Sequence, residues 1–100
     1  MIKLFFPTID NSEITATIKT LKSGFWASGA GVGNVKKFEN KFKKYTNASE
    51  CVAVDSGTAA LDLALKVLDV NKKEILVPSL TFVSSINAIK YNGGIPIFVD

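Results

Sequence analysis

Apolar positions recur at helical spacing through the first half of the chain and then give way to short, unbroken apolar runs separated by helical stretches. Asp10, with Glu13 three residues on, has the spacing of a capping box, and Ile14, Ile18 and Leu21 follow on one face. This predicts a helix over 11–23 that stops at Gly24. Asn34 can cap a second helix over 35–45, with Val35, Phe38, Phe42 and Tyr45 on one side and lysines on the other. Between them, Gly29, Gly31 and Gly33 alternate in a loop. Their G-x-G-x-G spacing after a helix is not that of a dinucleotide-binding turn, which needs a preceding strand.

From residue 51 the pattern changes to alternating strand and helix. Cys51-Val52-Ala53-Val54, Ile75-Leu76-Val77 before Pro78, and Ile95-Pro96-Ile97-Phe98-Val99-Asp100 read as parallel strands buried on both faces. A helix over 58–68 is apolar almost all round, with Thr58, Asp62 and Lys66 as its polar stripe and Asp62 placed to pair with Lys66. A further helix over 81–91 carries Phe82, Val83, Ile86, Ala88, Ile89 and Tyr91, and Asn92-Gly93-Gly94 suits a left-handed C-cap. Short links between alternating elements predict an α/β layer of three parallel strands with both helices packed on it. So apolar a helix needs cover on most sides, and 100 residues supply little of it, which predicts self-association or a second subunit.

Composition narrows the classes. The net charge of +3 comes from lysine alone, and the 36–44 cluster is the wet face of an amphipathic helix. Without the bidentate fork of arginine, nucleic-acid reading is disfavoured. No apolar run approaches the roughly 20 residues of a membrane span, and the apolar stretch before Pro7 is too short for a signal peptide, so a cytoplasmic protein without membrane contact is expected. The single cysteine, Cys51, opens an apolar run and is read as a small packed hydrophobe. No metal site is expected.

Candidate chemistry concentrates at Val54-Asp55-Ser56-Gly57-Thr58-Ala59-Ala60-Leu61, where an apolar run ends and a helix begins. Free N–H groups at a helix start, Gly57 allowing close approach and the Thr58 hydroxyl could together hold a phosphate. The alternative is an ordinary capped turn in which Ser56 or Thr58 caps the helix and Gly57 makes the bend.

At these residues the chain resembles the DegT/StrS-type sugar aminotransferases, pyridoxal-phosphate enzymes of the aspartate-aminotransferase fold. Trp26-Ala27-Ser28-Gly29 is similar to the family's Trp-x-x-Ser/Thr-Gly loop, although two extra residues separate Trp26 from Val35. Val35-Lys36-Lys37-Phe38-Glu39 with Phe42 and Tyr45 is similar to its Val-x-x-Phe-Glu helix. Ser56-Gly57-Thr58-Ala59-Ala60-Leu61 matches its signature, as does the 74–82 run ending in Phe82, and the 94–100 segment resembles its closing strand. The resemblance covers nearly the whole chain. It implies an α/β fold, the N-terminal part of the large domain of a fold type I pyridoxal-phosphate-dependent transferase, three-layered with a mostly parallel sheet.

The resemblance also implies roles. Gly57, Thr58 and Ala59 would hold the phosphate of pyridoxal 5'-phosphate, and Phe82 would lie against its ring, a core phenylalanine being the alternative. Trp26, Ser28 and Gly29 would lie near a nucleotide-linked keto-sugar, across the interface of a homodimer. The implied activity is transfer of an amino group from an amino acid, glutamate in the simplest case, in amino-sugar or cell-surface polysaccharide biosynthesis such as that of lipopolysaccharide. The lysine that carries the cofactor and the aspartate that pairs with its ring nitrogen lie beyond residue 100 in the family. No catalytic residue is therefore assigned, residues 1–100 are read as an incomplete cofactor-binding domain, and the 100 residues alone are expected to be inactive. The other class is a non-catalytic phosphate-binding or interaction module derived from the same half-domain.

Overall fold

The computed structural model describes residues 5–26 and 33–100. They divide into two compact units, one up to Ala53 and one from Val54 to Asp100.

The first unit holds two helices. α1 spans Asn11–Ser23, and its start is the expected capping box: Asp10 Oδ1 accepts from Ser12 N at 2.6 Å and Glu13 Oε2 accepts from Asp10 N at 2.8 Å. Gly24 closes the helix in the left-handed region at φ 71°. α2 spans Asn34–Thr46 and ends at Asn47, left-handed at φ 55°. Asn34 does not cap it. Gly33 takes the cap position without a side-chain bond, and Asn34 instead donates its amide to Thr20 Oγ1 at 2.6 Å. Asn34 is already the first helical residue, one position past the cap, so its side-chain oxygen is not placed to accept from the N–H groups of the first turn. Phe38 and Phe42 stack one turn apart at 5.6 Å between ring centres, on a face that stays largely exposed among the described residues.

The second unit is built around one β–α–β step. α3 spans Gly57–Val67, β1 Glu74–Pro78, α4 Val83–Tyr91 and β2 Ile95–Val99. β1 and β2 pair in parallel with Leu76 opposite Ile97. α4 packs on both strands and α3 packs on α4. The core consists of Val70, Val77, Ala88 and Ile89. α4 leaves the core through a Schellman closure: Gly94 N donates to Ile89 O at 2.9 Å and Gly93 N to Lys90 O at 3.0 Å, with Gly93 at φ 73°. Ile95 N then donates to Lys73 O at 2.9 Å, so the turn delivers β2 directly into register.

Three further sequence expectations change. The sheet has two strands, because residues 51–54 form no strand among the described residues; Ala53 N instead donates to Glu39 Oε1 at 3.0 Å. An unbroken apolar run specifies burial on two faces but not the neighbour that provides it. α3 packs on α4 rather than on the sheet, and it buries no residue. Asp62 does not pair with Lys66; its carboxylate accepts from Asn92 Nδ2 at 2.7 Å. Apolar residues such as Leu61, Leu63, Leu76 and Phe98 remain exposed, as expected for a chain with too little surface of its own to cover them.

Gly93→Ala places a side chain on a left-handed backbone with its Cβ 2.5 Å from Asn71 Oδ1. It should cost at least about 1–2 kcal/mol in denaturant unfolding, whereas a cost near zero would show that the closure does not constrain this turn. In acid, the cap of α1 should respond to Asp10. Hydrogen bonds from the Ser12 side chain, then from its N–H, and from Glu13 hold the Asp10 carboxyl below its ordinary value. A carboxyl depressed in the folded state stabilises fully above its unfolded value and loses that contribution as pH falls through the folded one. Asp10→Asn should therefore flatten the acid limb of α1 helicity followed by circular dichroism.

Candidate functional site

The start of α3 is the best-defined candidate site. Ser56 is its N-cap, extended at φ −157° and ψ 159°, and its Oγ accepts from Ala59 N at 3.2 Å. The hydroxyl proton is directed to Asp55 Oδ1 at 3.3 Å, which leaves a lone pair for Ala59. Of the two capping residues the sequence offered, Ser56 is therefore the one used.

That cap divides the cradle. Gly57, Thr58 and Ala59 are the first three helical residues, and the Ala59 N–H is already taken by Ser56. The N–H groups of Gly57 and Thr58 and the Thr58 hydroxyl have no partner among the described residues. At Gly57 a Cβ would meet nothing within 4 Å, so the side of the first helical residue is open. Two unpaired N–H donors, an adjacent hydroxyl and the positive end of an 11-residue helix are the kind of groups that suit an anion such as phosphate. An open groove of about 520 Å³ runs from this start along α3 and is lined by Asp55, Ser56, Thr58, Asp62, Lys66 and Asn92 among others.

Phe82 is the N-cap of α4, extended at φ −76° and ψ 137°, and does not line that groove. At 76% exposure it is not a core residue of these 100, so its ring is free to take a planar ligand. Trp26 belongs to the first unit; its Nε1 donates to Leu21 O at 3.1 Å and its ring is exposed. Ser28 and Gly29 lie outside the described residues.

Two polar links escaped sequence reasoning. Ser79 Oγ donates to Asp100 Oδ1 at 2.8 Å, just beyond the carboxyl ends of β1 and β2. The signal was available, since both are the first polar residues after their strands. Asn92 bonds Asp62 across 30 residues, and no local pattern announces such a pair.

The model of the DegT/DnrJ/EryC1/StrS aminotransferase family matches residues 7–100, and the chain belongs to this family. GDP-perosamine synthase of Escherichia coli O157:H7 is 40% identical over 100 residues, covering 99% of this chain and 27% of that protein. The spore coat polysaccharide biosynthesis protein SpsC of Bacillus subtilis is 39% identical over 95 residues, covering 94% of this chain and 24% of its own length. Among solved structures, the pyridoxal-phosphate form of the sugar aminotransferase Spr1654 from Streptococcus pneumoniae superposes with a TM-score of 0.80 at 36% identity, covering 94% of this chain and 24% of that one. An aminotransferase from Psychrobacter cryohalolentis reaches a TM-score of 0.86 at 30% identity, covering 95% and 24%. The chain thus spans about a quarter of the length of the relatives it matches. Among the described residues no helix is long and apolar enough to cross a membrane.

The two hydroxyls at the α3 start should separate by role. Ser56→Ala removes the cap and should cost about 1 kcal/mol of stability. Thr58→Ala removes a hydroxyl bonded to nothing in the fold and should change stability by less than about 0.5 kcal/mol. Denaturant unfolding of both variants checks the contrast, and equal losses would refute it.

Proposed function

We propose that residues 1–100 are the N-terminal part of the cofactor-binding domain of a pyridoxal-phosphate-dependent aminotransferase that acts on a keto-sugar nucleotide with glutamate as amino donor. The observation that carries this is the α3 start, with two unpaired N–H groups and the Thr58 side chain lining an open groove. The names of the relatives support the substrate class: one makes GDP-perosamine, and another is a dTDP-3-amino-3,6-dideoxy-galactopyranose transaminase. Solved relatives in pyridoxal-phosphate and pyridoxamine-phosphate forms support the cofactor.

Within this reading, Gly57 and Thr58 hold the cofactor phosphate, with Ala59 completing the turn behind them while Ser56 keeps its N–H. The helix dipole offsets the cost of desolvating a dianion. Phe82 lies against the pyridine ring and limits water access to one face. When bound, the cofactor supplies the electron sink that lets an amino group leave one carbon and join another. Trp26, Ser28 and Gly29 belong to the sugar-nucleotide side of the site. The full-length protein is read as a cytoplasmic homodimer, in which the apolar side chains of α3, β1 and β2 left exposed by these 100 residues are covered by the rest of the chain or by the second subunit.

The test uses the full-length apoprotein. Thr58→Val keeps shape but removes a donor to a charged acceptor, and should weaken pyridoxal-phosphate binding by about 1.5–3 kcal/mol with unfolding unchanged. Phe82→Ala should also weaken binding, and if Phe82 is a ring-stacking residue the apo form should not show the roughly 3–5 kcal/mol stability loss of a core truncation. Unchanged cofactor affinity in Thr58→Val would remove the phosphate assignment and favour a non-catalytic module.

A further inference from the structure

α3 carries the candidate phosphate cradle, yet none of its residues is buried. Its neighbour α4 is the anchored element, with Ala88 and Ile89 at 1% and 3% exposure. Among the described residues, one side chain forms the hydrogen-bonded link between the two helices. Asn92, the C-cap of α4, directs its amide to Asp62 Oδ1 at 2.7 Å, to Asp62 O at 3.3 Å and to its own helix at Ala88 O at 2.9 Å. It therefore grips both the side chain and the backbone of one α3 residue. Asp62 lies one turn beyond Thr58, and Asn92 lines the same groove as Thr58. The grip also explains why Asp62 gives up Lys66, the partner that helical spacing offers it: a half-buried amide bond replaces an exposed ion pair worth a few tenths of a kcal/mol.

We propose that Asn92 is a positioning residue for the phosphate cradle, holding the first turns of α3 at a fixed setting against α4 through Asp62. This rests on the reading of the α3 start as the cofactor-phosphate site. Within these 100 residues no buried side chain of α3 restricts its freedom to slide and tilt on α4, and N–H donors aimed at a phosphate lose strength when displaced by fractions of an ångström. The clamp removes that freedom at the level of the backbone.

The predicted signature is specific to the phosphate. In the full-length apoprotein, Asn92→Leu and Asp62→Leu should each raise the Kd for pyridoxal 5'-phosphate about 3- to 10-fold, the range of one net hydrogen bond. The Kd for pyridoxal, which lacks the phosphate, should stay where it is. Asp62→Asn keeps an acceptor oxygen for the Asn92 amide and should bind both compounds as the unsubstituted protein does. The double variant Asn92→Leu/Asp62→Leu should be no worse than either single one. Absorbance titration with both compounds reads all of these, with Thr58→Val alongside. Equal weakening of pyridoxal and its phosphate in Asn92→Leu would make Asn92 a general stability residue and overturn the inference. If Thr58→Val loses phosphate-dependent affinity while Asn92→Leu does not, the clamp is wrong and the cradle stands. If neither loses it, the cradle reading fails and the clamp fails with it.

Discussion

The second unit depends on burying one side of α4 against a parallel pair of strands. Ala88 and Ile89 on the helix meet a core completed by Val77 on β1 and Val70 in the turn before it. A parallel pair cannot be closed by a tight hairpin, so its connection must run through an element long enough to return to the same edge, and α4 is that element. Close packing explains the double glycine that follows. A Cβ at Gly94 would lie 2.9 Å from Ile89 Cγ2 and 3.2 Å from Ile89 O, inside the contact distance of a buried side chain. The helix can end only where the chain has no side chain to place there.

From this core outward, order is transmitted by fewer and more polar contacts. α3 contributes no buried residue and rests on α4, with Asn92 joining the two. Its N-terminus is consequently open, and the same openness leaves the Gly57 and Thr58 N–H groups unpaired. A donor satisfied by its own fold has little left to offer a ligand. Ala59 shows the opposite case, since the Ser56 cap has already taken its N–H. Within three consecutive residues one N–H is taken by the cap and two are left unpaired, which lets the helix start be both capped and available.

Membership of the DegT/DnrJ/EryC1/StrS family gives this arrangement its context. The relatives it matches are about four times as long, and the apolar faces of α3, β1 and β2 that remain exposed here have the character of surfaces meant for cover. Marginal burial and the proposed phosphate cradle are compatible because they answer to different physics. The cradle is local, made of one cap and two N–H groups, whereas burial needs area.

Local features were legible in the residues themselves. The Asp10 and Glu13 capping box, the boundaries of α1 with its stop at Gly24, the left-handed closure at Gly93, and the two paired strands all follow from short-range sterics, hydrogen-bond geometry and apolar periodicity. The sequence also narrowed the α3 cap to two hydroxyl residues without choosing between them. Tertiary structure decided whatever required a partner distant along the chain. Asn34 turned to Thr20 instead of capping α2, Glu39 took the Ala53 N–H, and Asp62 left Lys66 for Asn92. The 51–54 run remained outside the sheet, because apolar residues state a need for neighbours without naming them. A side chain's spacing along the chain determines what it can reach within its own helix, but packing brings up competing partners, at part-buried positions for Glu39 and Asp62, and there the fold chooses.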